Sequence, residues 1–150
     1  MRFLAILSAG ALVFLSGCCS QPKENYQQAY EQYLADGSVT LTTLHVLGDP
    51  YKAQQVVVGS LHMTLDALAY LDQKTQPTPE QKQEEVKLAR AVLDYMLTHR
   101  DNFDPRLPSV KAGVRGLQKI LTEPDDVRRL TELSDYLAGV EKKMSETQKP

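Results

Sequence analysis

The chain has 150 residues, 42% of them apolar, with no Trp and a formal net charge of −2. That length supports one hydrophobic core and is too short for two comfortable ones. Basic and acidic side chains nearly balance at 17 against 19, so no strong field argues for nucleic-acid binding through bulk charge.

Met1-Arg2 is a short cationic start, and Phe3 to Leu15 is an apolar stretch broken only by Ser8 and Gly10. A helix of that length rises about 20 Å, short of the roughly 30 Å hydrocarbon core, so the segment reads as an export signal rather than a stable span. Leu15-Ser16-Gly17-Cys18 follows, a Leu and two small residues before a cysteine. This order resembles the lipobox of bacterial lipoproteins. The resemblance covers residues 1–18 alone and names no family for the rest of the chain. It implies cleavage between Gly17 and Cys18, a diacylglycerol thioether on Cys18, and usually a further acyl chain on the new amine. Several acyl chains anchor durably where one is marginal.

The expected location is therefore the bacterial cell envelope, lipid-anchored. Cys19, not Asp, follows the acceptor, which favours the periplasmic face of the outer membrane over the inner membrane. The exported part has a net charge of −3 and no apolar run long enough to cross a bilayer. With Cys18 consumed, Cys19 is the one remaining thiol and no intramolecular disulfide forms. Cys19 is either a spectator beside the lipid or a link to a second copy or a small thiol.

Residues 18–23 form a polar tether, 24–146 the folded domain and 147–150 a polar tail. Tyr26, Ala29, Tyr30, Tyr33 and Leu34 lie on one face of a short helix, with Gly37 as its expected stop. Val39 to Leu47 alternates like a strand but also repeats Leu41, Leu44 and Leu47 every three residues. No second strand is available to pair with it, so the helical reading is adopted. Asp49-Pro50 starts the next helix, expected to run to about Gln73 and to bury Ala53, Val57, Leu61, Leu65, Leu68 and Leu71. Gly59 inside it predicts a close helix crossing.

Thr78-Pro79-Glu80-Gln81 combines an N-cap with a capping-box Gln. Val86, Ala89, Leu93, Met96 and Leu97 form the stripe of that helix. After the irregular link 102–108, a shorter helix runs from about Ser109 to Leu121 with Val110, Val114, Leu117 and Leu121 inward, thinned on one side by Gly113 and Gly116. Thr122-Glu123-Pro124-Asp125 starts the last helix, whose Leu130, Leu133, Leu137, Val140 and Met144 make a two-heptad seam. The expected fold is all-α: a small helical bundle of four main helices plus a short N-terminal helix, in the order of two stacked helical hairpins. The residue pattern of tetratricopeptide repeats is absent.

Chemistry is sparse. His62 and Asp66 share a helix face, but His45, His62 and His99 have no third or fourth ligand at metal spacing, so no metal or other cofactor is expected. His99-Arg100-Asp101 spells the start of a kinase catalytic loop without the other kinase motifs, and that reading fails. Glu84-Glu85 and Asp125-Asp126 are explained as acids complementing helix N-termini. Two surfaces remain. Lys111, Arg115 and Lys119, with Arg106 before them, form a cationic stripe suited to an anionic surface or an acidic partner, or else a solvated helix face. Tyr26, Tyr30 and Tyr33 suit an interface, or else close the bundle.

No catalytic set converges. The expected function is that of a membrane-anchored, periplasm-facing, non-catalytic adaptor or assembly factor for an envelope complex. The alternatives are a periplasmic inhibitor or immunity-type lipoprotein, and an envelope enzyme acting on murein. The expected partners are the membrane, through the lipid, and an envelope protein, not nucleic acid.

Overall fold

Helical periodicity persists along most of the chain. The computed structural model describes residues 22–47 and 51–148 and resolves that pattern into five α-helices. They are α1 (Pro22–Val46), α2 (Tyr51–Asp72), α3 (Pro79–Thr98), α4 (Pro108–Ile120) and α5 (Pro124–Thr147), with a 3-10 turn at Arg100–Asn102. No strand occurs among the described residues. The signal segment, Gly17, Cys18, Cys19 and the Asp49-Pro50 start lie outside them.

Proline opens α1, α3, α4 and α5, where its fixed φ suits a first helical position and its missing N–H costs nothing. α3 has the expected reciprocal cap. Gln81 N–H donates to Thr78 Oγ1 at 3.2 Å, and Thr78 N–H donates to Gln81 Oε1 at 2.9 Å. α4 and α5 start from Leu107 and Glu123 without a side-chain cap.

The N-terminal helix departs most from expectation. It is not short, and Gly37 does not end it: α1 continues for 25 residues, through Val46, and absorbs all but the last residue of 39–47. Gly37 serves a different purpose. A Cβ there would meet Leu88 Cδ2 at 2.6 Å, so the glycine lets α1 approach α3 closely. Thr40, Thr42 and Thr43 satisfy their hydroxyls on the carbonyls of Asp36, Ser38 and Val39, one turn back. The β-branched run is thereby accommodated inside a helix.

Successive helices reverse direction. Tyr26 meets Tyr70, and Lys82 reaches Asp72, so α1 and α3 each run antiparallel to α2. α4 runs in the same sense as α2: Gly59 lies near Ser109, Gly113 on His62 and Gly116 on Leu65. α5 returns along α4 and parallel to α3, to which Arg90–Asp126 and Arg129–Asp94 tie it. The hairpins α2–α3 and α4–α5 stack with α2 on α4 and α3 on α5, and α1 closes the side formed by α2 and α3. The expected crossing at Gly59 is not the tight one, since its nearest neighbours are Ser109 atoms at 4.0 Å. A Cβ at Gly116 would fall 2.7 Å from the Leu65 backbone. The small residues of α4 therefore set the approach.

Tyr30, Leu61, Leu65, Leu68, Leu93, Met96, Leu117, Leu121 and Leu133 are the large side chains sealed in one core. Leu88 and Val92 join the expected stripe of α3. The seam of α5 is buried at Leu130, Leu133 and Leu137 and half-buried at Val140 and Met144.

Candidate functional site

α2 has two apolar faces. The inner one, at Val57, Leu61, Leu65, Leu68 and Leu71, packs into the core. The outer one runs Val56, Ser60, Met63, Ala67, Tyr70, stepping 4, 3, 4, 3. Val56, Met63 and Tyr70 are 76%, 56% and 49% exposed. Because α2 is wedged between α1 and α4, part of this face forms the floor of a groove of about 560 Å³. Tyr33 contributes from α1; Ser60, Met63, Thr64, Asp66, Ala67 and Tyr70 from α2; Arg115 and Lys119 from α4. Tyr26 abuts Tyr70 edge-on, ring centroids 6.5 Å apart at 74°, beside the floor.

The structure divides the two surfaces read from sequence. Tyr33, Arg115 and Lys119, which come from both, share the groove. Tyr30 does not belong to any surface: it is fully buried, so the three phenols do not form one exposed edge. Its ring completes the core between α1 and α3. The cationic stripe is largely neutralised in place. Lys111 pairs with Glu141 at 3.2 Å, Arg115 with Asp66 at 3.1 Å, and Arg106 folds back on Asp104 at 2.8 Å. Arg106 holds the half-buried Asp104 carboxyl down to about 2 through hydrogen bonds from its side chain and backbone. Among the described residues, Lys119 is the member of the stripe with no ion-pair partner.

Glu85 departs from the helix-dipole reading. Only Glu80 occupies the first turn of α3, while Glu85 is fully buried. Its Oε2 accepts from Lys82 Nζ at 2.7 Å and from the Tyr30 hydroxyl at 3.2 Å, and Lys82 also reaches Asp72 at 2.8 Å. Burial pushes the Glu85 carboxyl up, and the Lys82 hydrogen bond opposes that only in part. Burial, followed by the Glu85 charge, drives the Tyr30 phenol well above its ordinary range. For Lys82 burial pulls downward, but the two carboxylates outweigh it and the net shift is upward. This cluster ties α1, α2 and α3 together. Lys82 borders a groove of about 880 Å³ between α3 and the α4–α5 turn, whose walls mix Lys87 and Arg90 with Asp94, Glu123 and Asp126.

His62 is fully buried, not at the core edge. Gly113 makes room for its ring, Phe103 lies 5.9 Å away between centroids, and no hydrogen bond of good geometry reaches either ring nitrogen. Burial lowers its pKa to about 4, a shift the Ser109 backbone offsets only partly. It borders a cavity of about 60 Å³.

Met63 and Tyr70 escaped the sequence reading. Their signal was present in the second apolar period of α2, offset from the inner stripe and masked by it. Among the described residues, no group of three His, Cys, Asp or Glu could hold a metal ion, and no helix is long and apolar enough to cross a membrane. Comparison with family models, curated proteins and solved structures finds no match.

Proposed function

We propose that this chain is a membrane-anchored, periplasm-facing bacterial lipoprotein that acts as a non-catalytic adaptor or assembly factor for an envelope complex, with the α2 groove as its docking face. One observation carries the reading. Large apolar side chains are left exposed in a concave groove, on a helix whose opposite face is packed into the core. Gathered exposed apolar surface of that kind marks interaction sites. An enzyme would need groups of shifted pKa converging on an open pocket. Here Tyr30 and Glu85 are sealed in the core, and His62 borders a space with room for only a few waters.

The test is a photoreactive side chain placed in the full chain, in bacterial cells, at Met63 or Tyr70, with Lys142 of α5 as the comparison site. Both groove positions should capture one discrete envelope protein, and Lys142 should not. Capture of that protein from Lys142 alone would refute the groove as the docking face. If the captured protein is an enzyme that the chain silences, the function is inhibition through the same face.

A further inference from the structure

We infer that the element docking in the α2 groove is an amphipathic α-helix of a partner protein, with an apolar heptad seam flanked by acidic side chains. This rests on the docking reading above and specifies the chemistry of the occupant.

The outer face of α2, whose stretch from Ser60 to Tyr70 is the floor of the groove, supplies the first argument. Val56, Ser60, Met63, Ala67 and Tyr70 follow a 3.5-residue repeat on an otherwise satisfied helix. Such a seam keeps in register with a second helix laid along it, whereas an extended strand has the wrong period. From Val56 to Tyr70 the seam is about 21 Å long, four helical turns.

Shape supplies the second. Met63 and Ala67 form the floor between Tyr33 on one wall and Arg115 and Lys119 on the other. A helix can enter such a trough, but a flat bilayer surface meets its walls first.

Charge supplies the third. Asp66 is the acid lining the groove, and Arg115 already holds it at 3.1 Å. Lys119 has no ion-pair partner among the described residues, and Lys74 lies over the Tyr70 ring, 5.6 Å from its centroid. The rim is therefore net positive around the Tyr70 end. Acidic flanks complement it, and basic flanks are repelled.

The probes are two labelled synthetic peptides of about 20 residues. Both have Leu at the seam positions; one has Glu flanks and the other Lys flanks. The full chain, held in nanodiscs of zwitterionic lipid, is titrated by fluorescence anisotropy against empty nanodiscs. The Glu-flanked peptide should bind, and the Lys-flanked one should bind about tenfold more weakly or worse at 0.1 M salt. Met63→Asp should abolish binding while leaving the helical circular dichroism intact, and Lys119→Glu should erase the preference between peptides. Equal binding of both peptides, or binding indifferent to Met63→Asp, overturns the inference. So does a chain dimer that Met63→Asp dissolves, or vesicles of anionic lipid binding through Met63 when neither peptide does. If Met63 captures a protein in cells but the acidic helix does not bind, the docking reading stands and this inference falls. Capture only from Lys142 removes the docking reading itself.

Discussion

His62 has a clear pH signature. Its ring is fully buried on Gly113 with no well-formed hydrogen bond to either nitrogen, and its pKa falls to about 4 from the ordinary value of 6.5. As pH drops below 6.5 the unfolded chain takes up a proton that the folded chain refuses until near 4. The stabilisation is thus complete above pH 6.5 and is lost as pH falls toward 4. Its size is about 3 kcal/mol at most. Denaturant unfolding measured from pH 7 to 4 should show this fall, and His62→Leu should flatten it relative to the parent. An identical slope in the variant would place the pH dependence elsewhere. Neither this burial nor that of Glu85 was legible in the sequence. His62 follows Leu61 at the edge of an apolar stripe, and what seals it is a glycine far along the chain, on α4. Glu85 reads as one of two surface acids until Tyr30 and Lys82 are placed against it.

At the scale of the helices, the glycines separate close packing from mere flexibility. A Cβ at Gly116 would meet the backbone of Leu65 and Asp66 at 2.7 and 2.8 Å, whereas one at Gly139 would meet nothing within 4 Å. Gly139→Ala should therefore stabilise by up to about 1 kcal/mol through helix propensity. Gly116→Ala should destabilise by about 1–3 kcal/mol, because backbone cannot move aside as a side chain can. Thermal unfolding of the two variants checks both signs, and a stabilised Gly116→Ala would mean that α2 and α4 are not so closely apposed. The starts of α3 and α5 were readable from sequence because Pro79, Pro124 and the Thr78 box act locally. The end of α1 was not, because Gly37 serves equally as a stop or as a contact. Only the position of Leu88 decides between them.

For the whole molecule, the lipid anchor is the expectation that most needs a direct test. Cys18→Ala should leave uncleaved precursor without labelled palmitate, while Cys19→Ala should keep the label. Equal labelling of the Cys18 variant would sink the assignment. The groove was half legible: Tyr33, Arg115 and Lys119 were singled out on separate helices, but their meeting depends on how α1 and α4 flank α2. That flanking also shapes how the chain finds its fold. Because α2 and α4 run in the same sense, their interface cannot form as a simple hairpin. Arg115 and Asp66, which meet across it, are 49 residues apart. Closing a loop of that length costs about 3 kcal/mol of chain entropy, before the packing around Gly113 and Gly116 repays any of it. The local hairpins α2–α3 and α4–α5 do not face that cost. Docking one hairpin on the other is then the slow event, and the groove, whose walls lie on both sides of that junction, is among the last features to assemble.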